Sequence, residues 1–216
     1  MALLKTNFVD IMHHLEKDKV KIMETLEALS LREGERYISL GIGTNLLPFI
    51  IAMQGVNVMG IDISPEALAF QMQNLGRFGS YLKQSQGSFA VYNLNFDDPY
   101  TGTKHIPGFP MLDYDKIKDS FDIVECVFFN HVEGEADLAQ ILLNLAKPSA
   151  RFFVSAPGGQ VKGTDLQWRD RTAHALIKET TLKSYRPQLE VVATDLYVST
   201  LHSNHYGVVL RPNSHL

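Results

Sequence analysis

The chain has 216 residues, a formal net charge of -4 and a hydrophobic fraction of 45%. That is enough apolar material for one full core, and the acidic balance gives no electrostatic case for a nucleic-acid partner. The single cysteine, Cys126, excludes an intramolecular disulfide and a cysteine-rich zinc site, and no run of about 18 apolar residues offers a membrane span. The N-terminus, MALLKTNFVD, has no long apolar stretch, so a secretory leader is not expected. One cysteine and no leader together suit a reducing compartment, and the expectation is a cytoplasmic protein without a resident metal.

Apolar residues at Phe8, Ile11, Met12, Leu15, Ile22, Leu26 and Leu29 have helical spacing. The polar run Glu16–Lys19 divides this stretch into two helices, so residues 1–34 read as a helical segment capping a domain over 35–216. Tyr37-Ile38-Ser39-Leu40 then reads as a buried strand, followed by a glycine turn, Gly41-Ile42-Gly43-Thr44-Asn45. An apolar helix over Leu46–Met53 is broken by Gly55, and a second strand, Val56–Ile61, ends at Asp62.

Strand, glycine turn, helix, strand and acid in ~30 residues is the layout of a nucleotide-binding βαβ unit. Gly41 and Gly43 allow a tight turn and close approach of a ligand to the backbone. The helix after them is expected to present free N–H groups to that ligand. Asp62, at the carboxyl end of the neighbouring strand, is placed to accept hydrogen bonds from two ribose hydroxyls. Ser64 and Pro65 then have the residue types of an N-cap and a first helical position.

That next helix is expected to end near Gly76, and Phe89–Asn93 to form a third strand. Residues 95–120 contain Pro99, Gly102, Pro107, Gly108 and Pro110, a long turn-rich segment of the kind that covers a site or simply crosses the surface. Phe121–Phe129 is a near-continuous apolar run, hence a fully buried parallel strand, with Asp122 structural at its start. A helix over Gly134–Ala146 should stop at Pro148, and Arg151–Ala156 should be the fifth strand. Thr164-Asp165-Leu166-Gln167 has the pattern of a capping box opening a helix to about Lys178. Leu189–Ser199 and His205–Arg211 read as a closing antiparallel pair. Tyr92, His105, Trp168, His174 and Tyr206 could line a pocket, although ordinary packing explains each as well.

The run ISLGIGTN, then GIDISPEAL, FDIVECVFFNHV and LLNLAKPSARFFVSAP, resembles the class I S-adenosylmethionine-dependent methyltransferases over roughly Glu35–Arg211. The resemblance implies a Rossmann-like, doubly wound sheet of seven strands, mostly parallel, with strand seven antiparallel. It implies S-adenosyl-L-methionine as cofactor, with Gly41 and Gly43 along its methionine part, Thr44 or Asn45 near its carboxylate, Asp62 on the ribose and Ile63 on the adenine. Asn93 and Leu94 would stand near the adenine amine, and the backbone of Cys126 and Val127 near the cofactor's amino group. His131, just past the fourth strand, is the candidate general base; a loop histidine bonded to backbone is the alternative.

Three positions depart from the family pattern, one of them Asn93, which stands where the family usually has an acid on the adenine amine, so that contact would be uncharged. Ser39 stands where the family usually carries an acid two residues before the first glycine, and Asn45 stands where many members have a third glycine. The expected activity is methyl transfer to a small molecule, with no nucleic-acid or membrane partner. The alternatives are a catalytically silent binding module of the same fold and, less well supported because Leu46 replaces the third glycine of the dinucleotide fingerprint, an NAD-dependent oxidoreductase. Nothing in the sequence fixes the oligomeric state.

Overall fold

A computed structural model describes residues 16–93, 108–110, 112–127, 135–157, 164–182, 186–199 and 204–213. Its elements in chain order are α1 (Lys19–Leu29), β1 (Arg36–Leu40), α2 (Leu47–Ala52), β2 (Asn57–Asp62), α3 (Pro65–Ser85) and β3 (Ser88–Asn93). A 3-10 turn (Tyr114–Ile117) precedes β4 (Phe121–Val127), α4 (Glu135–Leu145), β5 (Ala146–Pro157), α5 (Thr164–Leu182), β6 (Leu189–Ser199) and β7 (Asn204–Pro212).

The seven strands form one sheet in the order β3-β2-β1-β4-β5-β7-β6. The pairs among β3, β2, β1, β4 and β5 are parallel; β7 runs antiparallel to both β5 and β6 and lies between them. The expected mostly parallel sheet with an antiparallel seventh strand is therefore present. Alternation of apolar residues along each strand gives the sheet two buried faces. Tyr37, Val58, Ile123, Phe153 and Val209 face a cluster with α1, α2 and α3. Ile38, Leu40, Val124, Phe152 and Val208 face a second cluster with α4 and α5.

The two faces differ in how their helices arise. Helix α3 begins as the sequence indicates: the Ser64 hydroxyl accepts from Ala67 N at 3.2 Å, with Pro65 in the first turn. It does not stop at Gly76. It runs through Gly76 and Gly79 to Ser85, because Ala67, Gln71, Asn74, Phe78 and Leu82 form one buried stripe spanning both glycines. That packing outweighs a helix cost of about 1 kcal/mol per glycine.

Strand β5 likewise starts earlier than Pro148 suggested. Phe121 pairs with Ala146, but Ile123 pairs with Arg151, so residues 147–150 are accommodated at a register shift. The carbonyls left at the end of α4 accept from the Arg186 guanidinium, Leu143 O at 2.7 Å and Ala146 O at 2.8 Å. Helix α5 extends to Leu182 rather than Lys178.

Asp122 is structural, as expected. It accepts from the Arg36 amide at 2.9 Å and pairs with Lys147 Nζ at 2.8 Å. Burial pushes its carboxyl up, but Lys147 and the Arg36 amide outweigh that and leave it below the ordinary carboxylate range.

Helix α1 packs beside β6 and is tied down at its C-terminus. Arg151 donates to Leu29 O at 2.6 Å and Ser30 O at 2.5 Å and pairs with Glu35 at 2.5 Å. Arg211 donates to Ala28 O and to the Ser30 hydroxyl. Two arginines from adjacent strands thus satisfy helix-end carbonyls that have no intrahelical donor. Among the described residues no helix is long and apolar enough to cross a membrane.

Candidate functional site

Strand order reverses between β1 and β4, and the crevice outside their carboxyl ends is where open α/β sheets take ligands. The glycine turn lies there. Gly41 has φ 69° and Gly43 φ 48°, both in the left-handed region that favours glycine. A Cβ on Gly43 would meet only Gly41 O, at 3.8 Å, so the backbone there fronts open space rather than the protein's own atoms.

Neighbouring elements hold the turn. The amides of Gly41 and Ile42 donate to Ile61 O at 2.9 and 3.0 Å, which fastens the turn to β2. Gly60 makes room for it, since a Cβ at that position would stand 2.4 Å from Ile42 Cδ1. Asp62 closes the link: its Oδ2 accepts from Gly43 N and its Oδ1 from Ser64 N, each at 2.9 Å. The carboxylate is half-buried and spans the turn and the start of α3.

Two side chains that the sequence did not single out complete the frame. Gln71 of α3, fully buried, donates through Nε2 to Gly43 O at 2.8 Å and Asn45 O at 3.0 Å. Glu125 of β4, also fully buried, accepts from Asn45 Nδ2 at 3.0 Å through Oε1. Ser39 lies directly across the β1–β4 ladder from Glu125. The Tyr37 and Ser39 hydroxyls stand beside this carboxyl and temper its shift without a regular hydrogen bond to it, and Oε2 has no partner. Burial pushes the Glu125 carboxyl up to about 7, and burial followed by the Glu125 charge raises the Tyr37 hydroxyl well above its ordinary value. Gln71 could have been found from its place on the buried stripe of α3. Glu125 could have been found as a lone acid inside an apolar strand.

The candidate residues separate into groups. Gly41, Gly43, Thr44 and Asp62 come together at the crevice, with Gly41, Gly43 and Thr44 half-buried. Asn45 belongs to the turn, but its side chain points inward: it is 0% exposed, and Oδ1 accepts from Leu47 N at 2.9 Å. Ile63 is 38% exposed beside Asp62, and Asn93 ends β3, in register with Asp62. Cys126 and Val127 end β4, both buried. Leu94, His131 and His105 lie outside the described residues. Tyr92 and Tyr206 are half-buried, Trp168 packs against the α4–α5 core, and His174 is exposed.

The expectation that the helix after the turn offers free N–H groups is not met. Helix α2 has only six residues. Leu47 N is taken by Asn45, Pro48 has no N–H, and Phe49 N and Ile50 N both donate to Leu46 O, at 3.1 and 3.3 Å. What the crevice presents is the glycine backbone and the Asp62 carboxylate.

The seven-stranded, mostly parallel sheet with its antiparallel β7 is the fold of solved S-adenosylmethionine-dependent methyltransferases. Superposition on the crystal structure of a SAM-dependent methyltransferase from Aquifex aeolicus gives a TM-score of 0.58, covering 97% of this chain and 100% of that one at 15% identity. In sequence the chain is 29% identical to a ribosomal RNA small subunit methyltransferase H of Desulfovibrio desulfuricans over 140 residues, 62% of this chain and 40% of that protein. It is 25% identical to a ubiquinone biosynthesis O-methyltransferase of Aeromonas salmonicida over 123 residues, 56% of this chain and 43% of that protein. The chain thus matches well under two thirds of the length of either curated relative. No family model matches it. The exclusion of a nucleic-acid partner, argued from net charge, is not supported, since one relative is named for ribosomal RNA.

Proposed function

We propose that the chain is an S-adenosylmethionine-dependent methyltransferase acting on a small-molecule acceptor. The observation that carries this is the Asp62 carboxylate bridging the glycine turn and the start of α3 at the point where strand order reverses. The open space over Gly43 fits a ligand that lies against backbone, and a carboxylate at the end of β2, with two oxygens that both accept hydrogen bonds, fits a ribose diol. Ile63, exposed beside Asp62, supplies an apolar surface for a purine.

The cofactor supplies a methyl group already activated on sulfonium, so the protein's task is to hold an acceptor in line with it. Gly41 and Gly43 set the floor of the site, Asp62 fixes the nucleoside, and the backbone at Cys126 and Val127 borders the methionine end. Where the acceptor arrives protonated, His131 is the proposed base. The likeness to a ubiquinone-pathway O-methyltransferase supports a small-molecule acceptor, and the likeness to a ribosomal RNA methyltransferase makes RNA the acceptor to test against it.

Calorimetry with S-adenosylmethionine and S-adenosylhomocysteine tests the reading. Micromolar binding is expected; no binding at millimolar ligand would leave the silent binding module in its place. Labelled methyl transfer to a small-metabolite extract and, separately, to ribosomal RNA then tests the acceptor class, and labelling of RNA alone would overturn the small-molecule assignment.

A further inference from the structure

Beneath the glycine turn sits an ionisable side chain that methyl transfer does not require. Glu125 is fully buried in the middle of β4, between Ser39 of β1 and Phe153 of β5. The groups that face it are the Tyr37 and Ser39 hydroxyls and the Asn45 amide, and among the described residues no cation pairs with it. A buried acid without a cation is unfavourable, and an apolar side chain of similar volume would serve the core better. What an apolar side chain cannot do is accept a hydrogen bond.

The bond that Glu125 accepts comes from Asn45, which is the junction of the turn. Asn45 Nδ2 donates to Glu125 on β4, Asn45 Oδ1 accepts from Leu47 N at the start of α2, and Asn45 O accepts from Gln71 on α3. Its amide donates to Ile42 O at 2.9 Å and closes the turn on itself. Of these ties, the one to Glu125 is the one that joins the turn to a central strand on the far side of the strand-order reversal.

We propose that Glu125 is a positioning residue: by accepting the Asn45 Nδ2 hydrogen it fixes the Gly41–Asn45 turn in the shape that receives the ligand, at a cost to the stability of the sheet around it. The identity of the ligand rests on the function proposed above; the fixing of the turn does not.

The test uses the full chain with Glu125→Leu and Glu125→Gln. Three quantities are read: the thermal midpoint, amide hydrogen exchange of peptides covering residues 41–47, and affinity for S-adenosylhomocysteine. Glu125→Leu should unfold at an equal or higher midpoint, yet exchange in 41–47 should be about tenfold faster and affinity about tenfold weaker, the size of one lost hydrogen bond. Glu125→Gln keeps an acceptor oxygen and should restore both to within roughly threefold. Unchanged exchange in 41–47 overturns the proposal, as does a lowered midpoint with faster exchange spread over the whole sheet, which would make Glu125 an ordinary core residue. If the leucine variant does not fold, Glu125→Met, unbranched like glutamate and without an acceptor oxygen, is read in the same way; Asn45→Ala would also free Leu47 N and is not equivalent. If the wild-type chain fails to bind S-adenosylhomocysteine, the methyltransferase reading falls, while the exchange pattern still decides the role of Glu125.

Discussion

Asp62 and Gly43 are 19 residues apart in sequence and joined by a 2.9 Å hydrogen bond, from the Gly43 amide to Asp62 Oδ2. The second oxygen accepts from Ser64 N, so the two oxygens serve two different segments. Asp62→Ala should weaken S-adenosylhomocysteine binding by roughly 1.5–3 kcal/mol, the range for a hydrogen bond to a charged group. Asp62→Asn should not rescue it, because an amide offers one acceptor oxygen and turns an N–H toward the other backbone donor. Calorimetry on the folded variants checks both; undiminished affinity in either would take Asp62 out of the site.

Gln71 holds two carbonyls of the turn with one amide group. Gln71→Leu keeps the volume and leaves Gly43 O and Asn45 O without that donor. A loss of about 1–3 kcal/mol in unfolding free energy is expected, the cost of stranding buried acceptors. Urea denaturation measures it. An unchanged midpoint would mean that water replaces the side chain.

Glu125 gives stability a pH dependence of definite sign. Its carboxyl is raised in the folded chain to about 7 from an ordinary 4.5, so the folded state holds that proton more tightly. The resulting stabilisation is complete below the ordinary value and is lost as pH rises through about 7, a change on the order of 3 kcal/mol. Glu125→Gln has no such loss. Its thermal midpoint should exceed that of wild type most at about pH 8 and least at about pH 5. A gap that is constant, or widens toward acid, would show that Glu125 is not the titrating group.

Arg151 is nearly buried and satisfies two carbonyls at the end of α1 as well as Glu35. Arg151→Met should destabilise the fold by about 3 kcal/mol, because it strands a carboxylate and a helix end together. Equilibrium unfolding in urea gives the value. A cost within the range of a surface ion pair, below about 1 kcal/mol, would mean that Arg211 alone secures the helix.

The parts of this molecule that could be read from sequence are those whose cause is local. Gly41, Gly43 and Asp62 carry their meaning in residue type and spacing, and the alternation of strands and helices gave the sheet. The errors arose where a distant contact overrides a local signal. Gly76 looked like a helix end, but Phe78 and Leu82 continue the buried stripe of α3 beyond it. Pro148 looked like the boundary before β5, but the register shift opposite β4 absorbs it. Asn45 is a different case: its place in the turn says nothing of its side chain, which the positions of Glu125 and Leu47 commit inward. Glu125 itself was hidden in the apolar run FDIVECV, where the hydrophobic majority set the reading.

The placement of β7 between β5 and β6 has a consequence for how the chain is made. On the ribosome, β6 emerges before β7, its one partner among the described residues, and β5 waits with one edge bare until residues 204–212 appear. Until then the edge of β5, with Phe152, Phe153 and Val154 along it, is a sticky template for any passing strand. Newly made chains should therefore lean on chaperones during the interval between the emergence of β5 and that of β7, and stalling within that interval should drive them into aggregates.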